Sequence, residues 1–167
     1  MLPVRYSAQI YVGAITTAIA TAFLFILPRV LPDQPVRTTI WRLTGELPAT
    51  NPLLFLVVLG GFFGGFVSGI LVAGRWDTNL TVGFYAGVIG ILIIYAVWIL
   101  GNIIYWSIVQ SMLPPPLFNI IVVPLIYFLP LTGTHIVGGM LGGGIGGWMA
   151  ALYHGGPQLP DEFTDTE

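Results

Sequence analysis

Four long runs of uncharged residues constrain this chain more than any other feature of its sequence. A helix rises about 1.5 Å per residue, so about 20 residues are needed to cross roughly 30 Å of hydrocarbon. The runs that are long enough cover about residues 10–28, 53–74, 82–109 and 131–153. These runs predict an all-α integral membrane protein, a single membrane domain with four transmembrane helices.

The charge composition agrees with a membrane protein and excludes other classes. Charged residues make up 7% of the 167 residues, against roughly 25% in an ordinary soluble domain. The net charge is -2 and there is no Lys, so no basic stripe exists for nucleic acid. Because the sequence contains no Cys, it can form neither disulfides nor metal sites with thiolate ligands. The lipid bilayer is therefore the first predicted partner.

Proline clusters divide the four runs into two hairpins. Residues 29–52 and 113–130 are Pro-rich, whereas the link between the second and third runs is a short polar turn. We expect 29–52 to form an interfacial loop that holds a short helix between Asp33 and Gly45. We expect 113–130 to be a Pro-rich loop or a re-entrant segment. The two Pro-loop hairpins would then run parallel to each other.

The arginines orient the chain only weakly, because they are almost evenly divided between the two sides. The terminal side has Arg5 and Arg75, and the other side has Arg29, Arg37 and Arg42. The first helix usually dominates the orientation, and acidic residues such as those of the tail 157–167 contribute little. We therefore predict a multi-pass protein of the cell membrane with cytoplasmic termini.

Glycines recur at intervals of four residues in the second and fourth runs. They are Gly61, Gly65 and Gly69 in the second run, then Gly138, Gly142 and Gly146 beside Gly139, Gly143 and Gly147 in the fourth. In lipid, small residues at this spacing let helix backbones approach closely, which predicts glycine-zipper packing. One neighbouring helix cannot cover both ladders of the fourth run, so we expect one of them to face an external partner. Both runs also contain Gly-Gly-x-x-Gly-Gly, which indicates an internal repeat.

His135 is the one titratable side chain predicted near the start of the fourth helix. A polar ring at membrane depth is costly unless it has a partner. The simplest interpretation is a hydrogen bond to a backbone carbonyl or to the loop, and the alternative is a ligand for a haem or chlorin metal. The four runs contain no acidic residue, which argues against carboxylate proton relays and carboxylate-bound metals. The sequence predicts no metal site and leaves any cofactor undefined.

Three fragments of the sequence resemble pieces of the rhomboid intramembrane proteases: Ser68, His135 and the pair Trp41-Arg42. That family has a Gly two residues before its serine, where this chain has Phe66. A Ser-His dyad also needs both side chains within hydrogen-bond reach at one depth. We therefore predict no catalytic residue and keep a Ser/His hydrolase only as a remote alternative.

As a whole, the two glycine-rich hairpins with their short polar turn resemble small uncharacterised four-helix membrane proteins of archaea and bacteria. The resemblance implies a fold and a location, and it carries no active residues. Smooth helix faces and aromatic anchors are typical of a helix-packing accessory or structural subunit that assembles with other membrane subunits or with itself. A small channel or transporter is the alternative, although such proteins usually keep polar or charged residues inside the membrane.

Overall fold

The computed structural model describes residues 6–30, 34–44, 57–109 and 118–154, and every regular element within these ranges is helical. The α-helices are α1 (Ser7–Val30), α2 (Gln34–Thr44), α3 (Leu59–Val72), α4 (Trp76–Ile104) and α5 (Val123–Tyr153). A π-helical turn at Tyr105–Val109 follows α4, and another at Phe118–Val122 precedes α5. The expectation of an all-α chain is confirmed for the described residues.

Three of these helices are long and apolar enough to cross a membrane. The candidate spans are Ser7–Leu27, Trp76–Ile108 and Leu129–Tyr153. Helix α3 is also apolar, but it is shorter, with 14 residues. The predicted run begins at residue 53, and residues 53–56 lie outside the described ranges. The structure therefore suggests a membrane protein with three candidate spanning helices.

The segments that separate the predicted spans are more helical than the prolines indicate. The short helix expected between Asp33 and Gly45 is confirmed as α2. The segment predicted as a Pro-rich loop or re-entrant segment is helical from Phe118 onward, and α5 continues through Pro130. Proline removes one backbone hydrogen bond, a loss that membrane helices tolerate where neighbouring groups compensate. Residues 113–117 and the acidic tail 157–167 lie outside the described residues.

The order of the contacts gives the directions of the helices. Along α3, Gly61, Gly65 and Gly69 meet the backbones of His135, Gly139 and Gly143 in turn, so α3 and α5 run parallel. Along α1, the contacts go the other way: Gly13 meets Gly64, and Thr21 meets Gly60. Helix α1 is therefore antiparallel to α3. The start of α1, the link between α3 and α4, and the end of α5 lie at one end of the bundle, here called the terminal end.

A buried asparagine closes the link between α3 and α4. Helix α3 ends at Val72, and its C-cap residue Ala73 has a left-handed φ of 46°. Asn79 is buried, its Oδ1 accepts a hydrogen bond from Gly74 N–H at 3.1 Å, and its Nδ2 donates to Gly74 O at 2.9 Å. The Asn79 amide also lies directly against Gly147 of α5. One side chain thus secures the turn and packs it on the last helix.

Candidate functional site

Both ring nitrogens of His135 have hydrogen-bond partners inside the bundle. The ring is fully buried, at 0% exposure. Its Nδ1 lies 2.8 Å from Leu131 O, and its Nε2 lies 2.9 Å from the Thr21 hydroxyl. A carbonyl oxygen can only accept, so Nδ1 carries a proton, and in the neutral ring Nε2 accepts from Thr21. Binding of a haem or chlorin metal at Nε2 would therefore displace the Thr21 hydrogen bond.

Glycines on the surrounding helices make room for this pair. The backbone of His135 lies against Gly61 of α3 and Gly87 of α4, and a Cβ at either glycine would overlap it. A Cβ at Gly60 would likewise overlap the Thr21 side chain. The pair therefore links α1 to α5 at a point where α3 and α4 also lie close to α5. The expected backbone carbonyl partner is confirmed, whereas Thr21 is a partner that sequence reasoning missed.

A cavity of about 490 Å³ lies beside the pair, between α1 and α4. Thr21 and Leu131 form part of its wall, together with Phe25, Trp98 and Asn102. The rings of Phe25 and Trp98 meet edge to face, with centroids 6.5 Å apart. No sequence pattern predicts this cavity, because it depends on how far two helices diverge.

Ser68 has its own partner and is not hydrogen-bonded to His135. Its hydroxyl is buried and donates to Gly65 O at 2.8 Å, within its own helix. Ser68 packs against Gly13 of α1, whereas the His135 ring bonds farther along α1, at Thr21. The structure therefore does not bring Ser68 and His135 together as a nucleophile and base.

The two glycine ladders of α5 face two different helices of the same chain. Gly138, Gly142 and Gly146 lie against α3 at Phe62 and Phe66. Gly139, Gly143 and Gly147 lie against α4 at Gly83 and Asn79. The expectation that one ladder faces outward is wrong, because two intrachain helices pack side by side on α5. Large side chains occupy the outward face instead, among them Val137, Leu141, Trp148 and Leu152.

We expect the hydrogen bond between Thr21 and His135 to stabilise the bundle by a measurable amount. Thr21→Val and His135→Leu, made singly and together, form a double-mutant cycle. Polar pairs in membrane bundles show coupling energies of about 0.6 kcal/mol on average, and up to about 1.7 kcal/mol. Unfolding in mild detergent should give a coupling in this range. The control is Thr16→Val, because the Thr16 hydroxyl bonds only to Val12 O in its own helix and should show no coupling to His135.

Comparison with known proteins adds one finding. A model of a family of unknown function, DUF5518, matches residues 47–149. These residues include α3, α4, His135 and most of α5, and they exclude Thr21. No curated protein and no solved structure matches the chain. Because the match covers more than half of the sequence, the chain belongs to the DUF5518 family of unknown function.

Proposed function

We propose that this protein is a helix-packing structural or accessory subunit of a membrane assembly, formed with other membrane subunits or with copies of itself. The observation that supports the proposal is the set of contacts and hydrogen bonds inside the helix bundle. Several close contacts between helices join backbone to backbone at glycines, such as Gly65 of α3 with Gly139 of α5. The buried side chains of Thr21, Ser68, Asn79 and His135 bond to groups of the same chain. These buried polar groups therefore stabilise the packing of the helices against one another.

The proposal includes four transmembrane helices joined as two hairpins with glycine-zipper packing. Helix α3 is apolar and runs beside the candidate span α5 over three successive glycine contacts. It is antiparallel to α1, as the second helix of a hairpin must be. Helices α1 and α4 meet at Ala14 and Gly90, and at Gly13 and Ala86, which makes them parallel. Parallel hairpins support the internal repeat, and cytoplasmic termini complete the proposed topology.

The surface that supports an assembly is the outward face of α5. Val137, Leu141, Trp148 and Leu152 recur at helical spacing and are each more than half exposed. Large apolar side chains on one helix face can pack against a second helix by dispersion contacts. With both glycine ladders used inside the chain, we assign the partner contact to this face.

The mass of the particle in native lipid tests the assembly. Protein taken from its own membrane in lipid discs should have a mass above the 18.0 kDa of one chain, after correction for lipid. Leu141→Ala together with Trp148→Ala should shift the particle toward the single chain without unfolding it, because both side chains point away from the bundle. Ile15→Ala with Ile19→Ala, on the outward face of α1, is the matched control. A single chain in the unaltered discs would contradict the proposal.

A small channel or transporter is the second candidate, and one observation favours it. The Thr17 hydroxyl is fully buried and has no hydrogen-bond partner among the described residues. Thr17 lies on α1 one turn after Gly13, which contacts Ser68 of α3, and one turn before Thr21. Its hydroxyl lies against Gly64 of α3. An unpaired hydroxyl inside a bundle is a group that a permeating species can bond. A transport assay on the purified protein in sealed vesicles distinguishes the two candidates. Only a channel or transporter would move a solute across the membrane without partner subunits.

A further inference from the structure

We propose that the cavity between α1 and α4 binds one hydrocarbon chain of a membrane lipid, with the lipid headgroup beyond the Asn102 end of the cavity. This binding site is separate from the face of α5 to which the assembly is assigned, because its wall comes mainly from α1 and α4. Its support comes from the length, the lining, the volume and the shape of the cavity.

The length of the cavity matches one leaflet of a bilayer. Its wall runs from Ala18 to Ile26 on α1 and from Ile93 to Asn102 on α4. These stretches are about 12–14 Å long at about 1.5 Å per residue. Half of a hydrocarbon core of roughly 30 Å is about 15 Å. The cavity therefore reaches from near one membrane interface to near the bilayer centre.

The lining of the cavity suits a ligand without polar groups. The side chains of Ile19 and Val97 are 65% and 63% exposed and line its opening. Around candidate membrane spans, the surrounding medium is lipid. Most of the lining side chains are aliphatic or aromatic. Of the polar ones, Thr21 bonds to His135, and Asn102 Nδ2 donates to Trp98 O at 2.9 Å. The wall therefore offers mainly dispersion contacts to an apolar chain.

The volume of the cavity is about 490 Å³. A volume of this size is within the range of roughly 300–1,000 Å³ that is typical of small-molecule pockets. A flexible hydrocarbon chain can enter from the side and follow the cavity inward.

The shape of the cavity follows from the sizes of the residues along α1 and α4. Toward the terminal end, Ala14 lies against Gly90, so the two backbones approach closely. Two to three turns farther along, Phe25 meets Trp98 edge to face and holds the helices apart. The cavity is therefore wedge-shaped. It is closed near the bilayer centre, where the small residues lie, and it widens toward the aromatic residues at the other end. The same Trp98 provides a fluorescent probe inside the site.

Quenching of Trp98 by brominated lipid tests the site in the full chain. We would place a variant with Trp98 as its only tryptophan in vesicles of phosphatidylcholine with dibrominated acyl chains. The vesicles would then be fused with a large excess of unbrominated phosphatidylcholine. We expect Trp98 to stay quenched, because a bound chain exchanges slowly. A variant whose only tryptophan is introduced by Ile15→Trp, on the exposed outward face of α1, should recover its fluorescence at once. Equal and immediate recovery of both tryptophans would overturn the proposal.

A cavity-filling substitution with a matched control completes the test. A Cβ at Gly101 meets nothing within 4 Å, and the same is true of Gly133. Only Gly101 lines the cavity. Gly101→Phe should abolish the retained quenching of Trp98, and Gly133→Phe should leave it unchanged, with both variants folded. Ala22→Phe fills the same cavity from α1 and should repeat the result. Retained quenching in both filled variants would overturn the proposal.

Discussion

Gly139→Leu is expected to abolish the folded bundle. A side chain at Gly139 would overlap Gly83 O on α4, and the Gly139 carbonyl already lies where a Cβ of Gly65 or Gly83 would be. Three helices thus meet at one residue through their backbones. A leucine would separate them, and dispersion attraction falls steeply over gaps of about 0.5–1 Å. We expect a loss of about 4–5 kcal/mol or more, the range of the most damaging single substitutions, measured by unfolding in mild detergent.

Gly133→Leu is the control on the same helix. Gly133 is exposed, and a Cβ there meets nothing within 4 Å. This variant should stay folded and gain up to about 1 kcal/mol from helix propensity. Gly142→Leu and Gly143→Leu should both unfold the monomer, since one faces α3 and the other faces α4. A folded monomer with leucine at Gly142 or Gly143 would contradict the inward placement of that ladder.

Asn79→Ala is expected to cause the second large loss of stability. It removes two hydrogen bonds and leaves both polar groups of the Gly74 backbone without their partner. Each unsatisfied group costs about 1–3 kcal/mol when buried. Gly74 is only partly buried, so the loss should be about 2–3 kcal/mol in total. The measurement is again unfolding in mild detergent.

Asn102→Ala is the matched control for Asn79→Ala. The Asn102 amide is half-buried, and its Nδ2 donates only to Trp98 O, one turn earlier in the same helix. Its removal should cost less than about 0.5 kcal/mol, as for a surface substitution. Equal losses at Asn79 and Asn102 would show that the α3–α4 turn does not depend on its asparagine.

The sequence predicts the helices well because hydrocarbon imposes one requirement on every span. Backbone groups must be satisfied internally, so a long uncharged run has to be helical. The glycine spacing likewise indicates that backbones approach closely, and contacts such as Gly65 with Gly139 agree with it. These are local properties of a run, and a single sequence displays them.

The arrangement of the helices around α5 is not a local property, and there the prediction was wrong. Two adjacent ladders can serve two neighbours in one chain or one neighbour and a partner, and the sequence distinguishes neither case. The same limit applies to His135, whose partner Thr21 is 114 positions away. The carbonyl of Leu131, one turn away, could be anticipated. The cavity was missed because its width depends on the angle between α1 and α4.

The junction of Gly65, Gly83 and Gly139 also bears on how this protein can diverge. In a core of side chains, a larger residue at one position can be accommodated by a smaller one opposite. Here each neighbour is already glycine, and no smaller residue exists. A change at any of the three positions therefore has no compensating change at the other two. We expect sequence variation to accumulate on the outward faces of the helices, and we expect these three positions to stay glycine.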